Sequence, residues 1–243
     1  MLSWRHATGL MLVGFLTACA AAPDPASLDW DPFEEQNRGV HEVNTELDRS
    51  VYGPVARGYG ETVPGEVRAG IRNLRNHWRL PSQAIQYTLQ GRPGQVAETA
   101  TRFAVNTVFG LAGLIDPAKE MGLPYRETNF DETFHVWGLP EGGYLELPFV
   151  GPGTQRDWIG WALDQVSDPM YYVLPVAATN GLLVAGGLDI VNDRYELDPV
   201  LEELLHNSTD SYTAQRLSYL QNMRARLGGG TEIDQLEDVY ADY

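Results

Sequence analysis

Gln95-Val-Ala-Glu-Thr-Ala-Thr-Arg-Phe-Ala-Val-Asn-Thr-Val-Phe-Gly-Leu-Ala-Gly-Leu-Ile115 changes character halfway along. In its first half Val96, Ala100 and Phe103 recur at helical spacing, while Glu98 and Arg102 hold the other face. From Phe103 onward there is no charge. Thr107, Leu111 and Leu114 continue the stripe, and Val105 and Phe109 spread apolarity around the whole circumference. The pattern predicts one helix over 95–115, ended by Asp116-Pro117. A helix that is apolar all round must be covered by a large core or by lipid.

The flanking segments are helical too. Before it, Val67, Ile71, Leu74 and Trp78 form a stripe from Pro64 to about Arg79, where Pro81 stops or restarts the helix before Ala84, Ile85 and Leu89 continue the pattern to Gly91. Arg68, Arg72, Arg75 and Arg79 follow each apolar position by one residue. They could bind phosphates, but the favoured reading is a solvated face neutralised by the chain's own surplus of carboxylates. Further upstream Asp31-Pro32 opens an amphipathic helix bearing Phe33, Val40, Val43, Leu47 and Val51, which Pro54 and the glycines at 53, 58 and 60 break. Downstream, loops lead to Phe134, and Gly142-Gly143 with the alternation Tyr144 to Leu147 predicts a short hairpin, limited to an edge by Pro140 and Pro148. Arg156 to Val166 is helical. Pro169 to Leu188 is uncharged for the length of a membrane span, yet Pro175, Asn180-Gly181 and Gly186-Gly187 interrupt it, which favours two short apolar helices joined by a kink. Asp198-Pro199 opens a helix through Leu205, and a last one, capped at Asp210 or Ser211, carries Tyr212, Tyr219, Leu220, Met223 and Leu227.

The N-terminus sets the compartment. Arg5 precedes an apolar run, Ala7 to Leu16, too short to remain as a span of roughly 20 residues. Leu16-Thr-Ala-Cys19 resembles the bacterial lipobox, and Cys19 is the sole cysteine of the chain. The expected organisation is a signal peptide over 1–18, a lipidated flexible tether over 19–30, a folded domain over 31–230 and an acidic tail over 231–243. Two or three acyl chains on Cys19 would anchor the protein, at about 0.8 kcal/mol per buried methylene. Ala20 after the cysteine, by resemblance to lipoproteins generally, favours the outer membrane.

Composition removes several classes. The 243 residues carry 17 Lys and Arg against 33 Asp and Glu, a net charge of −16. Such a surface repels nucleic acid. One cysteine leaves no intrachain disulfide and no cysteine metal cluster. No G-x-S-x-G, H-E-x-x-H or Walker-type loop occurs, and His41, His77, His135 and His206 are dispersed. Neither an enzyme nor a cofactor is expected.

Several segments resemble the VacJ/MlaA family of outer-membrane lipoproteins: Asp31-Pro-Phe-Glu-x-x-Asn37-Arg38, Leu89-Gln-Gly91-x-Pro-Gly, Thr101-Arg-Phe103-x-x-Asn106-Thr-x-x-Gly110-x-x-Gly113-x-Ile-Asp116, Leu145-x-Leu-Pro-Phe149-x-Gly151, Arg156-Asp157 and Ser208-Thr-Asp210-x-Tyr212. The chain departs from that pattern at Glu42-Val43, where aromatic residues are expected, and in the arginines beyond Arg68. The resemblance implies a mainly α, ring-like single domain in the inner leaflet of the outer membrane, anchored at its periplasmic face. It implies an amphipathic passage that withdraws mislocalised phospholipids from the outer leaflet, preserving lipid asymmetry, and delivers them to a periplasmic lipid carrier. A trimeric porin is the implied companion. A passage with polar groups for the head and an apolar side for the tails needs no catalytic residue, since its task is to lower a desolvation barrier. The membrane-embedded rim is expected at Phe103, Val108, Phe109, Leu111 and on to Ile115, and again over 171–188. Polar groups of the passage are expected at Arg102, Asn106 and Thr107. The competing readings are an envelope scaffold lipoprotein without a lipid path and a tethered periplasmic hydrolase.

Overall fold

The computed structural model describes residues 28 and 30–228; the signal peptide, Cys19, nearly all of the tether and the acidic tail lie outside the described residues. Helix follows helix: α1 Glu34–Leu47, α2 Gly53–Thr62, α3 Gly65–Leu89, α4 Pro93–Val108, α5 Pro117–Glu120, α6 Phe130–Val136, α7 Gln155–Ser167, α8 Met170–Val173, α9 Val176–Glu196, α10 Asp198–Leu201 and α11 Ser211–Leu227. Two π-helical turns, Asp48–Tyr52 and Glu202–Asn207, follow α1 and α10. No helix among the described residues is long and apolar enough to cross a membrane.

The expected helices occur in the expected order, but α2 and α5 fall where breaks or loops are expected, and several boundaries differ. The 95–115 helix stops at Val108; residues 109–116 form a loop in which Leu111, Ala112 and Gly113 all have positive φ (53°, 56° and 97°). Periodicity misses this break because the loop is as apolar as the helix. Pro81 lies inside α3 without ending it, and the chain passes Gly53 and Pro54 through a π-helical turn straight into α2 rather than breaking. The run at 169–188 does kink at Pro175, but its second half is no short helix: α9 carries 21 residues through both glycine pairs to Glu196. Phe134 falls within α6, not at the end of a loop. In place of a hairpin there are two isolated antiparallel bridges, Tyr144 with Thr154 and Leu147 with Gly151. The intervening prolines and glycines leave too few ladder bonds for strands.

The described interior is rich in polar side chains, and many large apolar ones are exposed. α1 and the π-helical turn after it bury Asn37, His41 and Asp48, while Val43 and Val51 face outward. α3 buries His77, Gln83 and Gln86; α4 buries Thr99, Arg102 and Asn106; α9 buries Asp189, Asn192 and Arg194. The apolar core among described residues is small, centred on Tyr144, Tyr212, Leu220 and Met223. Buried polar groups must be paired, and most are. Asn37 bridges the 144–146 backbone through Tyr144 O and Glu146 N, both at 3.0 Å. Arg194 grips Asp48 at 2.6 and 2.8 Å, and Arg156 reaches Asp131 at 2.6 Å. The two ends of the domain join where Arg38 forks onto Asp210 at 3.0 Å and Tyr212 donates its hydroxyl to Asp31.

Candidate functional site: a two-sided cavity and an apolar rim

Helices α3, α7, α8, α9 and α11 stand around a cavity of about 690 Å3. One wall is polar. α3 brings Arg75, Arg79, Ser82 and Gln83; α7 and its C-terminus bring Asp157, Asp164 and Asp168; the loop before α6 adds Glu127. The facing wall is α9, which contributes Leu182, Leu183, Gly186, Gly187 and Ile190, with Trp158, Trp161 and Tyr171 extending the apolar side. A Cβ added at Gly186 or Gly187 would meet nothing within 4 Å, so the glycine pair that looked like a helix breaker widens the cavity instead.

Arginine positions explain how the wall is built. Arg68 reaches Asn192 at 2.5 Å, and Arg72 reaches Asp189 at 3.0 Å and Asp193 at 2.6 Å, both tying α3 to α9. Arg75 also meets Asp189, at 2.7 Å, but lines the cavity, and Arg79 pairs with Glu127 inside it. The stripe is therefore neutralised by the chain's own carboxylates, as read from sequence, yet it is a helix–helix seam and cavity wall rather than a solvated face.

The carboxylates of the cavity are unevenly compensated. Burial alone would push the Glu127 carboxyl up, but Arg79 and Arg75 outweigh it and hold its pKa below the ordinary value. Asp164 is pushed up to about 6 by burial. Asp157, buried and facing Asp131, rises to about 7, and burial raises Asp168 as well. Buried charge without a cation favours the neutral form.

The residues singled out at 102–111 lie elsewhere. Arg102 and Asn106 come together, but around Asp116 rather than along the large cavity: Arg102 Nη2 meets Asp116 Oδ2 at 2.8 Å and donates to Leu123 O, while Asn106 Nδ2 meets Asp116 Oδ1 at 2.7 Å. Asn106 Oδ1 also accepts from Ala118 N at 3.0 Å, and its carbonyl from Gly113 N at 3.0 Å. Thr107 donates to Phe103 O. Phe103 stacks on the buried His77 at 4.8 Å. Together they hold the end of α4 and the strained loop after it, which display Val108, Phe109 and Leu111 at 69%, 74% and 67% exposure. Tyr172, Val173 and Val176 form a second exposed apolar edge around Pro175. The cavity acids on α7 escaped sequence reasoning because carboxylates abound in this chain; the 7- and 4-residue spacing of Asp157, Asp164 and Asp168 was the signal available.

Comparison with known proteins agrees with this architecture. A family model described as MlaA lipoprotein matches residues 29–226. The "Intermembrane phospholipid transport system lipoprotein MlaA" of Haemophilus influenzae is 30% identical over 97% of this chain and 95% of its own length. The protein of the same name in Escherichia coli K12 is 31% identical over 88% and 85%. An uncharacterized protein of Rickettsia felis is 31% identical over 77% and 74%. A solved structure described as "Structural basis for maintenance of bacterial outer membrane lipid asymmetry" superposes with a TM-score of 0.69 at 30% identity, over 82% of this chain and 99% of that one.

Proposed function

The chain belongs to the MlaA lipoprotein family, and on that premise we propose that it forms a passage for phospholipid through one leaflet of the outer membrane. Anchored by acyl chains on Cys19 at the periplasmic face, the body sits among lipid tails with its apolar rim outward. Phospholipid misplaced in the outer leaflet enters the cavity and leaves to a soluble periplasmic carrier; a trimeric porin holds the assembly in place. The chain carries out no covalent chemistry in this scheme.

The observation that carries the reading is the pairing of an apolar exterior with a polar, two-sided cavity. In lipid an apolar outer face is solvated and helices satisfy their own backbone groups, so the arrangement that is costly in water becomes favourable. A head group crossing hydrocarbon loses its hydration. Arg79, Gln83 and the α7 carboxylates offer substitutes, while α9 accompanies the tails. The rim residues Val108, Phe109 and Leu111 belong to the embedded surface, Phe103 backs them from its stack on His77, and Arg102, Asn106 and Thr107 act by holding that rim in shape.

Reconstitution of the mature lipidated protein in vesicles, with transfer of labelled phospholipid to a soluble acceptor, tests this. Wild-type protein accelerates transfer. Gly187→Trp adds a side chain where a Cβ meets nothing within 4 Å, fills the open side of α9 and returns transfer to the protein-free rate. Undiminished transfer through the plugged variant overturns the passage; loss of folding in that variant is checked by its helical circular dichroism.

A further inference from the structure

Gln83 is the most informative side chain in the cavity. It is 2% exposed, and its Nε2 donates to the Tyr125 hydroxyl at 2.6 Å, but its Oε1 has no hydrogen-bond partner. A buried acceptor left unmatched costs free energy unless a ligand supplies a donor. One turn along α3, Gln86 donates to Asp164 at 3.2 Å, and Gln83 and Asp164 line the same cavity. Asp168 follows Asp164 by four residues, on the same face of the chain segment that ends α7. Among the described residues neither carboxylate has a cation within ion-pair distance: there Asp164 accepts from Gln86 and the Phe130 amide, and Asp168 from the Met170 amide. Arg79 is close by but already meets Glu127, and only one of its nitrogens is so engaged.

We propose that the polar wall of the cavity is a head-group site for a zwitterionic phospholipid carrying a primary ammonium, with the ammonium among Gln83 Oε1, Asp164 and Asp168 and the phosphate toward the free donors of Arg79. Two chemical facts single out this ligand. The orphan oxygen and the two acids require a donor that is also a cation, and a primary ammonium offers three N–H groups. Arg79 beside them supplies the opposite pole for the phosphate, through donors suited to it. A lipid with only negative charge in its head would meet the two acids unfavourably. A metal ion is the poorer occupant, since no group of three His, Cys, Asp or Glu side chains among the described residues is placed to hold one. The assignment rests on the passage reading above and adds a preference among lipids to it.

The test uses full-length lipidated protein equilibrated with mixed micelles of phosphatidylethanolamine, phosphatidylcholine and phosphatidylglycerol in equal amounts, followed by mass spectrometry of the lipid that remains bound after removal of micelles. Because the readout is a ratio within the bound fraction, it does not depend on how much lipid binds. Wild-type protein is expected to enrich phosphatidylethanolamine over each of the others on the order of tenfold, as one charge-assisted hydrogen bond gives. Asp164→Asn with Asp168→Asn brings the ratio toward the supplied one, and Asp168→Asn alone, at the exposed end of α7, lowers it if the double variant does not fold. Recovery of the three lipids in equal amounts, or phosphatidylcholine held as well as phosphatidylethanolamine, overturns the head-group site while leaving the passage standing. Absence of any bound phospholipid overturns both.

Discussion

At Gly113 the backbone turns with φ +97°, and a Cβ there would lie 2.3 Å from Cβ of His77. Only glycine satisfies both demands. Gly113→Ala is expected to lower stability by roughly 2–4 kcal/mol through strain and overpacking, read as a drop in the unfolding midpoint in detergent. The buried acids give a second prediction at this scale. Asp164 titrates at about 6 in the fold against 3.8 as the ordinary value, so the folded state binds its proton more tightly than the unfolded chain does. That contribution to stability is fully present below 3.8 and is lost as pH rises through about 6. His77, held near 4 by burial against an ordinary 6.5, acts in the opposite sense, its contribution disappearing as pH falls from 6.5 through 4. Asp164→Asn should therefore raise the thermal midpoint more at neutral pH than in acid, and the difference between the two proteins should open between these values. A constant difference across that range would show that Asp164 stays ionised in the fold.

Among the helices, legibility depended on what each stripe faced. The helix order, the kink at Pro175 and the aromatic face of α11 were readable, because periodicity and turn residues are local. The direction of burial was not. Val43 and Val51 mark a stripe along α1 and the turn after it as surely as a core would, yet they point outward while Asn37, His41 and Asp48 point in. A hydrophobic stripe tells which face seeks apolar surroundings, not whether protein or lipid supplies them. Break points at 108 and continuity through Pro81 were equally hidden, since they depend on Asp116 and on tertiary packing rather than on the residues at the break. Val108 belongs to the rim in this account. Val108→Glu should change stability in detergent by no more than about 0.5 kcal/mol, as exposed substitutions do, while increasing phospholipid at the cell surface. A normal surface in that strain would remove Val108 from the lipid-facing rim.

For the whole molecule, the site is an assembly of distant pieces. The cavity walls come from residues between Arg75 and Arg226, and no local motif announces that α3, α7 and α9 share a hollow. What the sequence did carry was the set of contacts that close the body. Asp31 and Arg38 meet Tyr212 and Asp210, and Asn37 holds the 144–146 backbone, so blocks far apart in the chain that suggested the family are the ones that join its ends. In the proposed arrangement the body carries lipid on its outside and a polar hollow within. Cys19 is the sole cysteine, so single substitutions report position cleanly against the unsubstituted protein. In sealed vesicles, Gly186→Cys should react with a charged, membrane-impermeant thiol reagent and be shielded by added phospholipid, whereas Phe109→Cys should stay unlabelled until detergent dissolves the bilayer. Labelling at 109 in intact vesicles with silence at 186 would contradict the account.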